Sequence, residues 1–465
     1  MKIRFYGAAR TVTGSQFLVE VNGGRMLLDC GIFHGKRRDF YERNSYFAFD
    51  PKKLDTVILS HAHIDHSGNL PSLVKQGFEN PIYATPPTAE LAAIMLRDSG
   101  HIYEEDTEYL NKKKRKHGEP VVDPLYTVKD AEKVPDLFHG IGYDQPFEPV
   151  KGVTARLVDA GHILGSSAVV LDIRQKGETL RLWFSGDIGR FDLPLLRNPV
   201  MPGDTDILIM ECTYGHKEHA DINDAYDEFR EVVLRTIDRG GKVIIPAFAV
   251  GRTQEIVYSL NRMIADEEIP PLPVFVDSPL AINASEIFMK YPDYYDDETH
   301  EFMETGKHPA LTFPSLKYTR SVAESKAINH VDEPAVIISA SGMAEAGRIL
   351  HHLIHNIENP RNTVCIVSWQ APHTLGRRLA ERNKTVRIFG DEVRVRAEIA
   401  TIGGLSAHGG QLMLLNYAQA AARNGLKQVF LVHGDEKQAK AMMEKLKALD
   451  ITQVSYPERG GVAEF

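Results

Sequence analysis

In the segment Ser60-His61-Ala62-His63-Ile64-Asp65-His66-Ser67-Gly68, directly after the apolar run Thr56-Val57-Ile58-Leu59, three histidines and an aspartate crowd into six residues. Side chains alternate faces along an extended strand, so the loop after one can aim His61 and His63 to the same side. Asp65 and His66 then fall just beyond the turn, where a second ion would sit. Imidazoles and a carboxylate are borderline-to-hard ligands that suit zinc, with manganese or iron as alternatives. Four residues supply half of a dinuclear site, so such a chain must fold to bring further ligands to the same strand end.

At 465 residues the chain is too long for one ordinary core, and two or three domains are expected. Its 43% apolar and 25% charged content is that of a soluble globular protein and excludes a disordered one. No stretch approaches the roughly twenty apolar residues of a membrane span, and Met1-Lys2-Ile3-Arg4-Phe5 has no signal-peptide character, so no membrane association is expected. Cys30, Cys212 and Cys365 are widely spaced, which suits a reducing cytoplasm and argues against a disulfide framework or a thiolate zinc site. The net charge of −9 argues against a nucleic-acid coat protein but not against a nucleic-acid enzyme, whose bound cations a formal count omits. Lys112-Lys113-Lys114-Arg115-Lys116-His117 reads as the only dense basic run, and a solvated helix end is its first reading.

Short strands are expected at Lys2–Tyr6, Gln16–Val21 and Arg25–Leu28, the last two joined by the hairpin signal Asn22-Gly23-Gly24. Strands continue at 57–59, 81–84, 154–158, 168–173 and 180–184, with helices at 70–76 and from 89 to about 116. From about residue 206 strand–loop–helix units repeat, led by Val243–Ile245, Val274–Val276, Val336–Ile338 and Val364–Val367, the third with its helix expected near Ala344–His355. That alternation predicts a parallel sheet whose ligands gather at strand carboxyl ends. Short strands return at 386–389 and 393–397, and a closing strand–loop–helix unit surrounds Phe430–Val432. The pattern is a strand-rich domain interrupted by an inserted α/β domain.

Two cations about 3.5–4 Å apart clamp the attacking and leaving oxygens of a phosphoryl displacement. Further ligands are sought where a glycine lets the backbone turn sharply after an apolar run. Gly161-His162, Gly186-Asp187 and His433-Gly434 fit, while Asp29 and Glu211 end apolar runs in the same manner.

On these residues the chain resembles the metallo-β-lactamase superfamily and, within it, the β-CASP ribonucleases. Asp29, the His61/His63/Asp65/His66 cluster, His162 and Asp187 match four ordered motifs; Glu211 in Glu211-Cys212-Thr213-Tyr214-Gly215, His408 in Leu405-Ser406-Ala407-His408 and His433 in Leu431-Val432-His433-Gly434-Asp435 match three more. The resemblance implies an αββα metallo-β-lactamase sandwich over 1–207 and 385–465, with a β-CASP parallel α/β domain inserted over 208–384. It implies two zinc ions, one on His61, His63 and His162, the other on Asp65, His66 and His433, with Asp187 bridging. Asp29 would accept a proton from a ligand imidazole, and Asp65, Glu211 and His408 would join it in catalysis. A metal-activated hydroxide would attack the phosphorus, and His408, oriented by Glu211, would protonate the leaving 3′-oxygen.

Products would carry 5′-phosphate and 3′-hydroxyl ends, by endonucleolytic and also 5′-to-3′ exonucleolytic cleavage. His433 favours RNA, because the DNA-repair branch carries valine there, and the inserted domain would close over a single strand. Ser341-Gly342-Met343 would offer backbone N–H groups to a phosphate, with Arg252 and Arg348 as phosphate partners. A short, stand-alone cytoplasmic form and, by analogy, a homodimer are expected. The alternatives are a dinuclear hydrolase of DNA or of a small ester, thioester or lactam, and a non-catalytic RNA-processing scaffold. His351 and His355 lack the glutamate a zincin helix requires and read as a packed or solvated helix face.

Overall fold

The computed structural model describes residues 1–175, 177–305, 309–423 and 425–465, which cluster into two units. One unit holds 1–191, 198–218 and 408–465; the other holds 192–197 and 219–407. In chain order the strands are β1 (Lys2–Gly7), β2 (Gln16–Val21), β3 (Gly24–Leu28), β4 (Thr56–Ile58), β5 (Ile82–Ala84), β6 (Phe138–Gly140), β7 (Phe147–Val150), β8 (Val153–Asp159), β9 (Ser167–Gln175), β10 (Glu178–Phe184) and β11 (Ile207–Glu211). The middle of the chain gives β12 (Val243–Pro246), β13 (Val274–Val276), β14 (Leu316–Tyr318), β15 (Val336–Ser339), β16 (Thr363–Ile366), β17 (Thr385–Ile388), β18 (Asp391–Arg394) and β19 (Glu398–Thr401). The last three are β20 (Gln428–Val432), β21 (Val454–Ser455) and β22 (Gly461–Glu464).

The first unit stacks two seven-stranded sheets, ordered β22-β1-β2-β3-β4-β5-β6 and β21-β20-β11-β10-β9-β8-β7. Side-chain alternation along β11 explains the layering. Ile207 and Ile209 join Phe17, Leu28, Leu171 and Phe184 in the core between the sheets. Leu208 and Met210 face the other way, onto Leu414, Tyr417 and Met442 of the helices Gln411–Ala422 and Glu436–Ala448. A strand apolar on both faces is expected where both faces are covered. Against the first sheet, the helix Pro86–Lys116 packs along β6 and buries Leu91 and Leu96. The result is the expected αββα sandwich.

The second unit is built on an all-parallel sheet ordered β14-β13-β15-β12-β16-β19. Its inner strands, VIIP, VFV, VIIS and TVCI, are buried at every position, as a doubly covered parallel sheet requires. Residues 385–407 belong to this unit rather than to the C-terminal part of the sandwich: β19 pairs with β16, and Val386, Ile388 and Val393 share a core with Leu375 and Leu379. At the other boundary, 208–218 stay with the sandwich because β11 pairs with β10 and β20. The helix expected from Ala344 begins at Ile349, since Ala344 and Gly347 adopt φ of 56° and 83° and turn the chain first. Among the described residues no helix is long and apolar enough to cross a membrane.

Asp277, at the end of β13, is fully buried and accepts four hydrogen bonds. They come from Arg348 Nη1 (2.6 Å), His352 Nε2 (2.7 Å), Thr319 Oγ1 (2.7 Å) and Ser325 Oγ (2.6 Å). Burial alone would raise its pKa, but these donors outweigh it and hold the carboxyl well below the usual range. A depressed folded-state pKa adds stability that is full above the ordinary carboxylate value and fades as pH falls through it. Asp277→Ala should cost about 3–5 kcal/mol by leaving buried His352 and half-buried Arg348 without their carboxylate, read as a lower urea midpoint at neutral pH. Asp277→Asn should flatten the acid side of the stability profile; an unchanged midpoint and slope in both would refute this role.

Candidate metal centre

Every candidate ligand of the sandwich unit sits at or just past a strand end, where side chains leave the sheet and converge. Asp29 follows β3 at φ 58°, His61 and His63 follow β4, and Asp65 and His66 ride on the single turn Ile64–Ser67. His162 lies between β8 and β9 after Gly161, Asp187 follows β10, and His433 follows β20 at φ 49°. Gly186, at φ 54° with Ser60 Cβ 2.8 Å from where its own Cβ would stand, permits the turn into Asp187. Gly31 does the same for the loop after β3, since any side chain there would collide with the backbone of Asp65.

Two donor sets result, each with ligand atoms within 4.8 Å of one another: His61, His63, His162 and Asp187, and Asp65, His66 and His433. His63 Nδ1 is 3.1 Å from His61 Nε2 and 3.2 Å from His162 Nε2. Asp187 turns Oδ2 to His61 and His162 (3.5 Å each) and Oδ1 to His66 Nε2 (3.2 Å). His433 Nε2 stands 3.3 Å from Asp65 Oδ2.

Hydrogen bonds behind these rings fix which nitrogen faces inward. Ser60 donates its backbone N–H (2.8 Å) and hydroxyl (2.9 Å) to Asp29, so its oxygen accepts from His61 Nδ1 (3.1 Å). His66 Nδ1 donates to Asp29 Oδ2 (2.7 Å). Thr213 donates to the His433 carbonyl (3.1 Å) and accepts from His433 Nδ1 (3.0 Å). Each ring therefore presents a bare Nε2 to the centre, the tautomer a metal ligand needs. His66 Nε2 and Asp187 Oδ1 are buried without a hydrogen-bond partner, although buried polar atoms are normally satisfied. Converging lone pairs, orphaned buried acceptors and outer donors form a donor set that fits divalent cations.

Electrostatics agrees with that fit. Burial, reinforced by neighbouring imidazoles, lowers His61 and His162 well below the usual histidine range and takes His63 to about 4. These rings are neutral at physiological pH, the form that binds metal. Burial opposes charge on His66 too, but Asp187 and Asp29 outweigh it and raise its pKa.

Beside the second face of Asp187, His408 Nδ1 lies 3.1 and 3.2 Å from the two oxygens of fully buried Glu211, and 4.0 Å from Asp187 Oδ2. Burial would depress His408, but Glu211 and then Asp187 lift it to about 9. Ile188 N–H holds the Glu211 carboxylate from behind at 2.6 Å.

In the inserted unit the expected phosphate partners are placed otherwise. Arg252 is buried, pairs with Glu255 at 2.5 Å and donates to the Leu405 carbonyl. Arg348 is bound by Asp277 and by the carbonyls of Thr319 and Arg320. Both guanidinia are committed within the chain, which corrects their expected role. Ser341 accepts from the N–H groups of Glu345 and Ala346, and the Gly342 carbonyl accepts from Gln370, so the Ser341–Met343 segment is a closed turn ahead of the helix. His352 is buried on Asp277, and His351 lies against Phe389. Ser60 and Thr213 escaped the sequence reading as orienting residues, although both stand inside the motifs quoted; Ser15, which also donates to Asp29 (3.2 Å), carries no local signal.

Strand-end imidazoles and carboxylates facing one buried aspartate, on an αββα sandwich, define a metal-dependent hydrolase. Comparison with known families matches residues 9–169 to the metallo-beta-lactamase superfamily, 253–379 to the Beta-Casp domain and 392–457 to the Zn-dependent metallo-hydrolase RNA specificity domain. A ribonuclease of Thermus thermophilus is 36% identical, over 99% of both chains. An RNase J-like protein of Methanocaldococcus jannaschii is 30% identical, over 94% of this chain and 93% of its own. The transcription termination factor FttA of the same archaeon is 30% identical over 98% of this chain but only 70% of its own length. A solved structure from Enterococcus faecalis, of unknown function, shares the fold at a TM-score of 0.57 and 13% identity over 99% of each chain. The chain belongs to the β-CASP family of the metallo-β-lactamase superfamily.

Asp29→Asn should weaken cation binding at the His66 set by about 10–100-fold, the usual effect of losing a carboxylate behind a ligand histidine. Metal content measured after dialysis against graded chelator should show one ion leaving earlier than in the wild type. Release at unchanged chelator concentration would refute the assignment.

Proposed function

We propose that the protein is a metal-dependent ribonuclease that hydrolyses phosphodiester bonds of single-stranded RNA, leaving 5′-phosphate and 3′-hydroxyl ends. The observation that carries this reading is the pairing of two abutting donor sets with a buried Glu211–His408 couple on the shared aspartate. His61, His63 and His162 would hold one cation and Asp65, His66 and His433 the other, with Asp187 facing both donor sets; zinc would suit the donors, and manganese or iron would be tolerated. Bound there, the cations supply Lewis acidity and lower the pKa of a water toward neutrality.

The chain's own groups do the remaining work. Glu211 takes the His408 Nδ1 proton as a hydrogen bond, which orients the ring and leaves Nε2 to carry a proton toward the departing 3′-oxygen. Its pKa near 9 keeps that proton in place at neutral pH. Asp29, Ser60 and Thr213 hold their rings without touching substrate. The RNA-specificity match spans both His408 and His433, which supports RNA over DNA or a small ester, and the full donor set speaks against a scaffold. Endonucleolytic cleavage with an additional 5′-to-3′ exonuclease, a homodimer and a cytoplasmic setting complete the reading, the last in keeping with three buried free cysteines.

End-labelled single-stranded RNA should be cut by the metal-loaded protein and spared when chelator is added. Asp187→Ala should abolish cleavage and lose metal, whereas His408→Ala should retain metal and lower kcat by about 10²–10⁴. Intact RNA alongside two bound cations per chain would sink the proposal.

A further inference from the structure

A second feature of the sandwich unit is a cationic strip with no anionic partner among the described residues. Between the loop after β3 and the turn before β4 runs His34-Gly35-Lys36-Arg37-Arg38-Asp39-Phe40-Tyr41-Glu42-Arg43-Asn44-Ser45-Tyr46-Phe47. Lys36, Arg37 and Arg38 are exposed, and among the described residues no carboxylate lies within ion-pair distance of any of them or of Arg43. Arg43 instead lies over the Phe33 ring at 4.1 Å. Asp39 and Glu42, the acids of the segment, form no ion pair with these cations, and Arg43 together with burial pushes the nearby Arg459 down against the partial offset of Glu42. The run Lys112–Lys116 is the contrast: Lys112 and Arg115 reach Glu108, Lys114 reaches Glu119, and Lys113 covers Tyr109.

Three further observations point to an anionic strand. The helix Arg37–Asn44 begins at Lys36 with no side-chain cap, so unmet N–H groups, the positive end of the helix dipole and three cations coincide. Aromatic rings interleave with them: Phe40 lies against Tyr41 (5.3 Å) and Tyr103 (5.8 Å), Phe47 against Phe49 (5.3 Å), and Tyr46 is 81% exposed. The strip is also joined to the candidate centre. Cys30 N–H donates to the His66 carbonyl (2.8 Å) and Ile32 N–H to that of Ile64 (3.0 Å), while Asp65 acts electrostatically on His34. Cations plus exposed aromatics are what a single-stranded nucleic acid needs for its phosphates and unpaired bases.

We propose that this strip binds the stretch of single-stranded RNA flanking the scissile phosphate, with Lys36, Arg37 and Arg38 on phosphates and Tyr46 stacked on a base. The proposal rests on the ribonuclease reading for its ligand but not for its test. Binding is followed by anisotropy of a fluorescein-labelled oligouridylate of about 30 nucleotides, longer than the ~4–16 one binding fold occupies, in chelator so that nothing is cut. The triple variant Lys36→Glu, Arg37→Glu, Arg38→Glu should bind at least tenfold more weakly, with a salt dependence shallower by about two units of slope for three lost phosphate contacts. Tyr46→Ala, at an exposed position that folding does not need, should weaken the single strand by about tenfold and leave a duplex RNA of equal length unaffected. Lys112→Glu with Lys114→Glu, both at cations already paired with carboxylates, should behave as wild type. Metal-loaded variants should hydrolyse bis(p-nitrophenyl) phosphate, too small to reach the strip, within twofold of wild type.

Wild-type binding that ignores both the triple variant and Tyr46→Ala overturns the proposal while leaving RNA cleavage intact. Failure of the wild type to bind the oligouridylate overturns it as well. Equal loss of single strand and duplex in Tyr46→Ala would reassign the strip to polyanions at large and overturn the base-stacking claim. Strip-dependent binding with no RNA cleavage would sustain the strip and remove the ribonuclease reading.

Discussion

One buried carboxylate, that of Asp187, faces five imidazoles: His61, His162, His66, His433 and His408, at 3.2 to 4.0 Å. Everything around the candidate centre is arranged to make that crowding tolerable. Neutral rings close to one another cost little, and burial keeps His61, His63 and His162 neutral. For a ring that faces carboxylates on both sides, as His66 does, the shift runs the other way: burial is outweighed by Asp187 and Asp29.

Those acids are placed by β-sheet register. Asp29 is the residue after β3, parallel to β4, so its carboxylate can reach back to the Ser60 N–H and across to His66. Glu211 ends β11, between β10 and β20, and so stands between the segments that carry Asp187 and His433. The same strand sends Ile207 and Ile209 into the inter-sheet core and Leu208 and Met210 under the closing helices. Stability and site geometry are thus two products of one alternation.

Much of this was legible in the chain. Apolar runs ended by a ligand residue, with a neighbouring glycine at Asp187 and His433, located β3, β4, β10, β11 and β20 and the side chains they deliver. Strand–helix alternation located the parallel sheet of the inserted unit. What local pattern cannot encode is partnership across the sequence. The alliance of β19 with β16 moved residues 385–407 out of the sandwich, and the left-handed turn at Ala344 delayed a helix whose periodicity began earlier. Arg252 and Arg348 looked available because Glu255 lies one helical turn away and Asp277 far upstream, and only the fold brings them together. Density of like charge was equally misleading, since Lys112, Lys114 and Arg115 of the dense run reach the neighbouring carboxylates of Glu108 and Glu119, whereas the sparser cations at 36–43 reach none among the described residues.

The order in which the donors occur along the chain has a consequence for biosynthesis. His61, His63, His162 and Asp187 all lie within the first 187 residues, but His408 and His433 follow only after the whole inserted unit has been made. With domains folding as they emerge, at about 5–20 residues per second, a nascent chain holds one donor set long before it can close the second or present the proton-bearing imidazole. The hydrolytic centre therefore stays incomplete until β20 and His433 have been made. A product ending between Asp187 and β20 carries every residue of the first donor set and lacks His433 of the second.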